Sequence, residues 1–474
     1  MNLYQRETIT LAKPMNHAEK LQYMTHTPLP KLVGQLATPA VISMLISSLY
    51  NMADTYFVGQ IGSASATGAV GVIFPVMSLM QAVGFMFGHG SGNFMSRALG
   101  AGQVEKAEKM AATGFFSAFF AGLLIMAAGL MLPGQICSLL GSTETILPYA
   151  VEYLRYLMPG APFLVAQFVI NNQLRFQGSA FYGMIGVTVG ALLNVALDPV
   201  FIFVLGMGVS GAALATSISQ FVGFTVLLCM TYQKGNIPIR LRHFTPSLAN
   251  YREIFRGGVP SLARQALTSV STIVLNNAAG VYGDAAIAAM SIVGRVMMMG
   301  NSAIIGFGQG FQPICGFNYG AKRYARVREA FWFCVKLCFV ALVVIAVLGM
   351  IFAPQIIGLL IKSNPEVVEI GTLSLRLQCI FWPLFSYVII ANMMLQTIGM
   401  AGKATLLAVA RQGLFFIPTV LLLSWLLGLL GVQMSQAVAD VLSFALAVPI
   451  GQGVLRRFKQ LEAERGNGPD MQVE

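Results

Sequence analysis

Apolar runs of about 20 residues or more recur along the whole 474-residue chain, separated by short charged or Gly/Pro-rich breaks. That is the helix length needed to cross the hydrocarbon core of a bilayer. Read in such windows, the sequence predicts twelve spans, at 35–58, 66–92, 111–132, 149–172, 181–205, 209–232, 257–280, 286–312, 329–352, 368–394, 404–427 and 430–453. The expected fold is an all-α integral membrane protein.

The pattern repeats itself. At an offset of 221 residues Pro39 aligns with Pro260, Gly59 with Gly280 and Gly62 with Gly283. The segment YLRYLMPGAPFLVAQFVINNQLRFQGSA aligns without gaps on SLRLQCIFWPLFSYVIIANMMLQTIGMA, pairing Arg155 with Arg376, Pro162 with Pro383 and Asn171 with Asn392. A constant offset through arginine, proline and asparagine marks a duplication. An even number of spans per half gives both halves the same orientation, so the spans form two six-helix lobes related by a pseudo-two-fold axis along the membrane normal. Such bundles place a substrate site between the lobes and rock about it. The expected division is 1–34 (N-terminal segment), 35–232 (first lobe), 233–256 (linker), 257–455 (second lobe) and 456–474 (tail).

Composition agrees and adds direction. Hydrophobic residues make up 56% of the chain and charged residues 10%, too few to cover a water-facing surface. The net charge of +11 is not a nucleic-acid footprint, because the basic residues collect in alternate loops. One side holds Arg6, Lys13, Lys20 and Lys31, the segment 93–110, Arg175, the 233–256 loop, the cluster Lys322–Arg328, Lys403 and the tail; the opposite loops hold only Lys362. Basic loops stay cytoplasmic, so both termini are expected there, in a bacterial plasma membrane. The six cysteines form no CxxC pair and read as small buried hydrophobes. The four scattered histidines build no zinc site.

Function is expected where the repeat is broken. Asp54, in YNMADTYFVG, sits inside the first span, where a central charge costs at least ~2.5 kcal/mol; at the same offset the second lobe has Leu275. In the fifth span, VGALLNVALDPVFIF, Asn194 and Asp198 lie one turn apart on one face. Aligning Pro199 with Pro418 puts Ile417 opposite Asp198. GVSGAALATSISQF adds Thr216 and Ser217 on the sixth span. Two carboxylates with amide and hydroxyl oxygens suit a proton or a hard cation such as Na+. Arg155, Arg264, Lys336 and Arg376 fall within a couple of turns of the span ends, where basic side chains snorkel. Arg295 and a pair of Arg411 with Asp440 lie deeper, the latter read as a structural ion pair. The 26 Met and 32 Phe suit an adaptable cavity and ordinary packing equally.

These residues resemble the multidrug and toxic compound extrusion (MATE) family over essentially the whole chain. The likeness rests on Pro39 followed by MADTYFVG, on NVALDPVFIF leading into GAALATSIS, and on ATPAVISML and RFQGSA. The resemblance implies export of bulky, often cationic organic compounds driven by inward Na+ or H+, with no cofactor beyond that coupling ion. It places the cation or proton site, a sodium-binding set where Na+ is the driver, at Asp54, Asn194, Asp198 and Thr216. Tyr50 and Asn171 match cavity-lining positions, and Pro39 matches a proline at which the first helix bends in some members. Acids that another branch carries in the seventh and tenth spans are absent here. That favours the amino-lobe branch of DNA-damage-inducible and MepA-like exporters.

The expected mechanism is alternating access by a monomer, an antiporter rather than an enzyme, moving drug-like small molecules. An ion reaching Asp54 and Asp198 from outside alters the first and fifth helices and weakens drug binding. Each charge moved inward releases about 2.3 kcal/mol per 100 mV. A flippase for a lipid-linked saccharide is the alternative; it would favour several cavity arginines, and only Arg295 reads as central, with a place in the substrate cavity. A membrane-embedded enzyme fits less well, since no histidine or nucleophile motif accompanies the acids.

Overall fold

The computed structural model describes residues 15–360 and 365–466; Arg6, Lys13 and Lys362 lie outside them. Among the described residues there is no strand, and the helices assemble into twelve long rods. A short polar helix comes first, α1 (His17–His26), closed by a capping box in which Asn16 and Glu19 exchange side-chain-to-backbone bonds of 2.8 Å. The first lobe follows: α2 (Leu29–Gly59), α3 (Ala64–Gly100), α4 (Val104–Met131) and a short α5 (Pro133–Leu139). Its fourth rod is α6 (Leu147–Leu157) joined to α7 (Ala161–Phe176); α8 (Ala180–Pro199) and α9 (Val209–Thr231) complete it.

The second lobe has the same plan. It runs α10 (Leu248–Gly280), α11 (Asp284–Gly320), α12 (Tyr324–Ile351), short α13 (Ala353–Leu360), then α14 (Pro365–Phe381) with α15 (Phe385–Thr397). The last rods are α16 (Ala401–Val409) with α17 (Ile417–Leu427), and α18 (Leu429–Gly466). Both fourth rods break into 3-10 turns beside prolines, at Met158–Gly160 and Trp382–Leu384, because proline lacks the N–H that would continue the α ladder. Both fifth rods widen into a π turn, at Val200–Val204 and Ala410–Phe416. The duplication reaches single bonds. Asn171 Nδ2 donates to the Gly183 carbonyl (3.0 Å) and Asn392 Nδ2 to that of Ala404 (2.7 Å), the same clamp in each lobe.

Ten of the rods are long and apolar enough by composition to cross a membrane. The other two, residues 147–176 and α10, hold enough polar and charged residues to fall short of that measure. The helices also outrun the apolar windows: α3 continues to Gly100, α11 to Gly320, and α10 starts at Leu248. Hydropathy marks only the hydrocarbon slab, while the hydrogen-bond ladder continues into water. This corrects the reading of Arg264. It stands more than four turns into α10, in the bundle interior, and does not snorkel from an end. Arg175, read as a loop residue, is buried at the end of α7.

The lobes pack tightly at the end carrying the basic loops. A Cβ at Gly90 of α3 would overlap the Ile254 carbonyl of α10, one at Gly258 would overlap that of Met86, and one at Gly310 of α11 would strike the Ala37 backbone of α2. Only glycine permits this approach. Arg97 locks the seam from α3, donating to the Thr397 carbonyl (2.6 Å) and Glu253 Oε2 (2.8 Å), while Arg256 donates to Glu253 Oε1 (3.0 Å). Toward the opposite end Leu49, Met52, Tyr56, Met298 and Met299 are exposed, so the lobes part there into a cleft.

Candidate functional site

Four rods of the first lobe converge on its acids. Asp54 comes from α2, Asn194 and Asp198 from α8, Thr216 from α9, and Tyr50 stands one turn before Asp54. Asp54 is 8% exposed and Asp198 0%, so both are removed from bulk water. Asp54 lies within electrostatic reach of Asp198, and both act on the hydroxyls of Tyr50 and Tyr153. The Tyr50 hydroxyl lies near the side chains of Thr216 and Gln220. Oδ1 of each aspartate has no hydrogen-bond partner, and among the described residues no Lys, Arg or His pairs with either acid.

Asn194 bridges Asp198 and Thr216: its Nδ2 donates to Asp198 Oδ2 at 3.0 Å, and its Oδ1 accepts from Thr216 Oγ1 and N, both at 3.3 Å. Among the described residues no group of three or more His, Cys, Asp or Glu gathers. A cation here would take its remaining ligands from neutral oxygens: Thr216 Oγ1, Tyr50 Oη and Asn194 Oδ1.

The site is not at mid-depth. Asp54 is five residues from the end of α2 and Asp198 six from the end of its π turn, about 8–9 Å along the rods. Ser217, beside Thr216 in sequence, points elsewhere and donates to the Tyr156 (2.7 Å) and Leu157 (3.2 Å) carbonyls at the break in the fourth rod. Asn171 stands roughly 27 Å along that rod from Tyr153, in its clamp on Gly183. Arg295 is exposed on the face of α11 that carries Ser302, whose hydroxyl meets that of Ser48 on α2 (2.9 Å). It forms no ion pair with the acids among the described residues. Pro39 is accommodated within a continuous α2, its carbonyl accepting from Ser43 Oγ at 2.8 Å. Sequence reasoning missed Tyr153 and Gln220; the latter follows Thr216 at i+4 on the same face, a spacing already present in ATSISQ.

In the second lobe Asp440 is buried too, but Arg411 reaches it from the π turn, Nε to Oδ1 at 2.7 Å and Nη2 to Oδ2 at 3.4 Å. Gln436 donates to Oδ1 at 2.9 Å, and the guanidinium stacks 4.0 Å over Phe385.

Two duplicated six-helix lobes, sealed at one end and parted at the other around buried acids, define a multi-pass membrane transporter. The MatE family profile matches residues 39–200 and again 260–422, so its two copies begin 221 residues apart, and the chain belongs to that family. It is 29% identical to the multidrug export protein MepA of Staphylococcus haemolyticus over 93% of this chain and 97% of that one. A crystal structure of MATE in complex with MaL6 superposes with a TM-score of 0.88 at 27% identity, covering 93% of this chain and 99% of that one. An outward-facing multidrug resistance MATE family transporter of the MOP superfamily does so with a TM-score of 0.87 at 27% identity, covering 95% of this chain and all of that one.

Proposed function

We propose that the chain is a multidrug efflux transporter that exchanges organic, often cationic compounds for inward-moving H+ or Na+. The basic end faces the cytoplasm of a bacterial plasma membrane by the positive-inside rule, which puts both termini inside. The cleft then opens outward, the seam of α2, α3, α10 and α11 is the closed inner gate, and residues 233–256 link the two lobes of a monomer. Asp54 and Asp198 take up the ion from outside. Asn194 holds Asp198 through its amide, and Thr216 with Tyr50 supplies the neutral oxygens. Because α2 and α8 carry the acids and flank the cleft, a change in their packing alters the surface a drug binds.

The observation that carries this reading is the pair of buried acids with free oxygens and no basic partner. An intramembrane acid left so is costly unless it exchanges a cation. The test is dye efflux from proteoliposomes with the Na+ and pH gradients imposed separately, for wild type, Asp54→Asn and Asp198→Asn. Either variant exporting at the wild-type rate under the gradient that drives wild type would overturn the assignment.

A further inference from the structure

A second charged cluster lies at the sealed base of the cleft, and the ion-coupling reading does not use it. Arg175 ends α7, and Arg264 stands inside α10. The register of α3 against its neighbours fixes their directions. Gly84, Gly88 and Gly92 face Phe168, Asn172 and Phe176, so α7 runs parallel to α3; Gly90 and Met86 face Ile254 and Gly258, so α10 runs antiparallel. Helical side chains lean toward their own N-termini. Arg175 and Arg264 therefore converge from opposite directions, close enough that their charges act on one another and on His89.

No carboxylate answers them. Among the described residues the only hydrogen-bond partner of the Arg175 guanidinium is Asn172 Oδ1 (2.5 Å), with its Nε free; Arg264 Nη1 is free as well. His89 (1% exposed) leaves Nδ1 without a partner, and Asn93 (0% exposed) leaves both amide atoms so. Phe176 walls the cluster, its ring edge-on to His89 at 6.0 Å and 5.1 Å from the Arg175 guanidinium. Arg264 is only half-buried, which gives the cluster access from the cleft.

We propose that Arg175 and Arg264, with His89 and Asn93, form a binding site for an oxyanion group, a carboxylate or a phosphate ester, entering through the cleft. Two guanidinium forks match the planar oxygens of such a group, and the amide and ring nitrogens supply further donors. The group arrives on an organic anion or zwitterion, or on an anionic lipid headgroup. That a transported compound carries it rests on the efflux reading; the site itself does not.

The test uses the purified full chain in neutral detergent, with no ion gradient, and fluorescence titration of dansylglycine against its methyl ester. The wild type is expected to prefer the acid about tenfold or more. Arg264→Gln, on the accessible side and so the safer variant for folding, is expected to abolish that preference. Arg155→Gln, the same charge change at an exposed position, leaves it intact. Benzoate competing with dansylglycine identifies a free organic anion as the carrier, and dihexanoyl phosphatidylglycerol competing instead identifies a lipid headgroup. Equal binding of acid and ester, a preference that survives Arg264→Gln, or competition by neither anion would overturn the proposal.

Discussion

Both lobes bury carboxylate inside their helices, yet only the second supplies a counter-charge. Arg411 and Gln436 occupy the oxygens of Asp440, and Phe385 covers the guanidinium. Asp54 and Asp198 have only hydroxyls and one amide around them. Duplication gave the two lobes the same breaks, π turns and asparagine clamps, so the difference lies in side chains alone. A paired acid holds helices together; an unpaired one answers to whatever cation reaches it.

That contrast can be broken from either side. Arg411→Leu strands Asp440 and should cost about 3–5 kcal/mol. The check is the melting temperature in detergent, and Arg411→Leu with Asp440→Leu should recover most of the loss. Asp54→Asn or Asp198→Asn should leave the melting temperature near wild type or raise it. Either should slow gradient-driven efflux tenfold or more, about 1.4 kcal/mol in rate. Asn194→Leu removes the amide that bridges Asp198 and Thr216 but neither acid. It should cost about 1 kcal/mol at the site, a several-fold shift in the ion concentration giving half-maximal efflux.

Smaller effects lie at the inner gate. Glu253→Gln removes the acid shared by Arg97 and Arg256, a partly exposed pair worth about 0.2–1 kcal/mol. Spin-label distances across the outer cleft should shift modestly toward the narrower population. A separate test concerns α1. Lys20 donates to Ser179 Oγ (2.8 Å), the Gly235 carbonyl (2.7 Å) and Asn236 Oδ1 (3.3 Å), while Asn318 of α11 donates to the Met24 carbonyl (3.2 Å), so α1 straps both lobes. Burial lowers the Lys20 amine from 10.5 to about 7; His17, one turn earlier on α1, feels its charge. A free Lys20 binds its proton more tightly than a docked one. Docking should therefore strengthen as pH rises from about 7 toward 10.5, and Lys20 should contribute no slope below about 7. Hydrogen exchange of the α1 amides, corrected for intrinsic rates, reads this out.

Much of this was legible beforehand. Hydropathy located the rods, the 221-residue offset the lobes, and the failure of the repeat at Asp54 and Asp198 the acids. What escaped was set by direction and depth. The resemblance puts Asn171 at the cavity; only the structure adds that its nitrogen bonds the Gly183 carbonyl. Arg264 looked terminal because a hydropathy window cannot see where a helix starts once it leaves the hydrocarbon. Tyr153 carries no charge and sits in a segment too polar to stand out, so only packing brings it to the acids.

The seam of glycines has a bearing on how such a molecule moves. Backbone meets backbone at these glycines, beside buried side chains such as Met95, Leu99 and Phe317, so drawing the lobes apart at that end parts main chains and uncovers oily surface together. Also resisting the separation is a short set of polar contacts from Arg97 to Thr397 and Glu253, each weak enough to exchange for water. For the two facing states to lie close in free energy, closing the opposite end must bury a comparable surface.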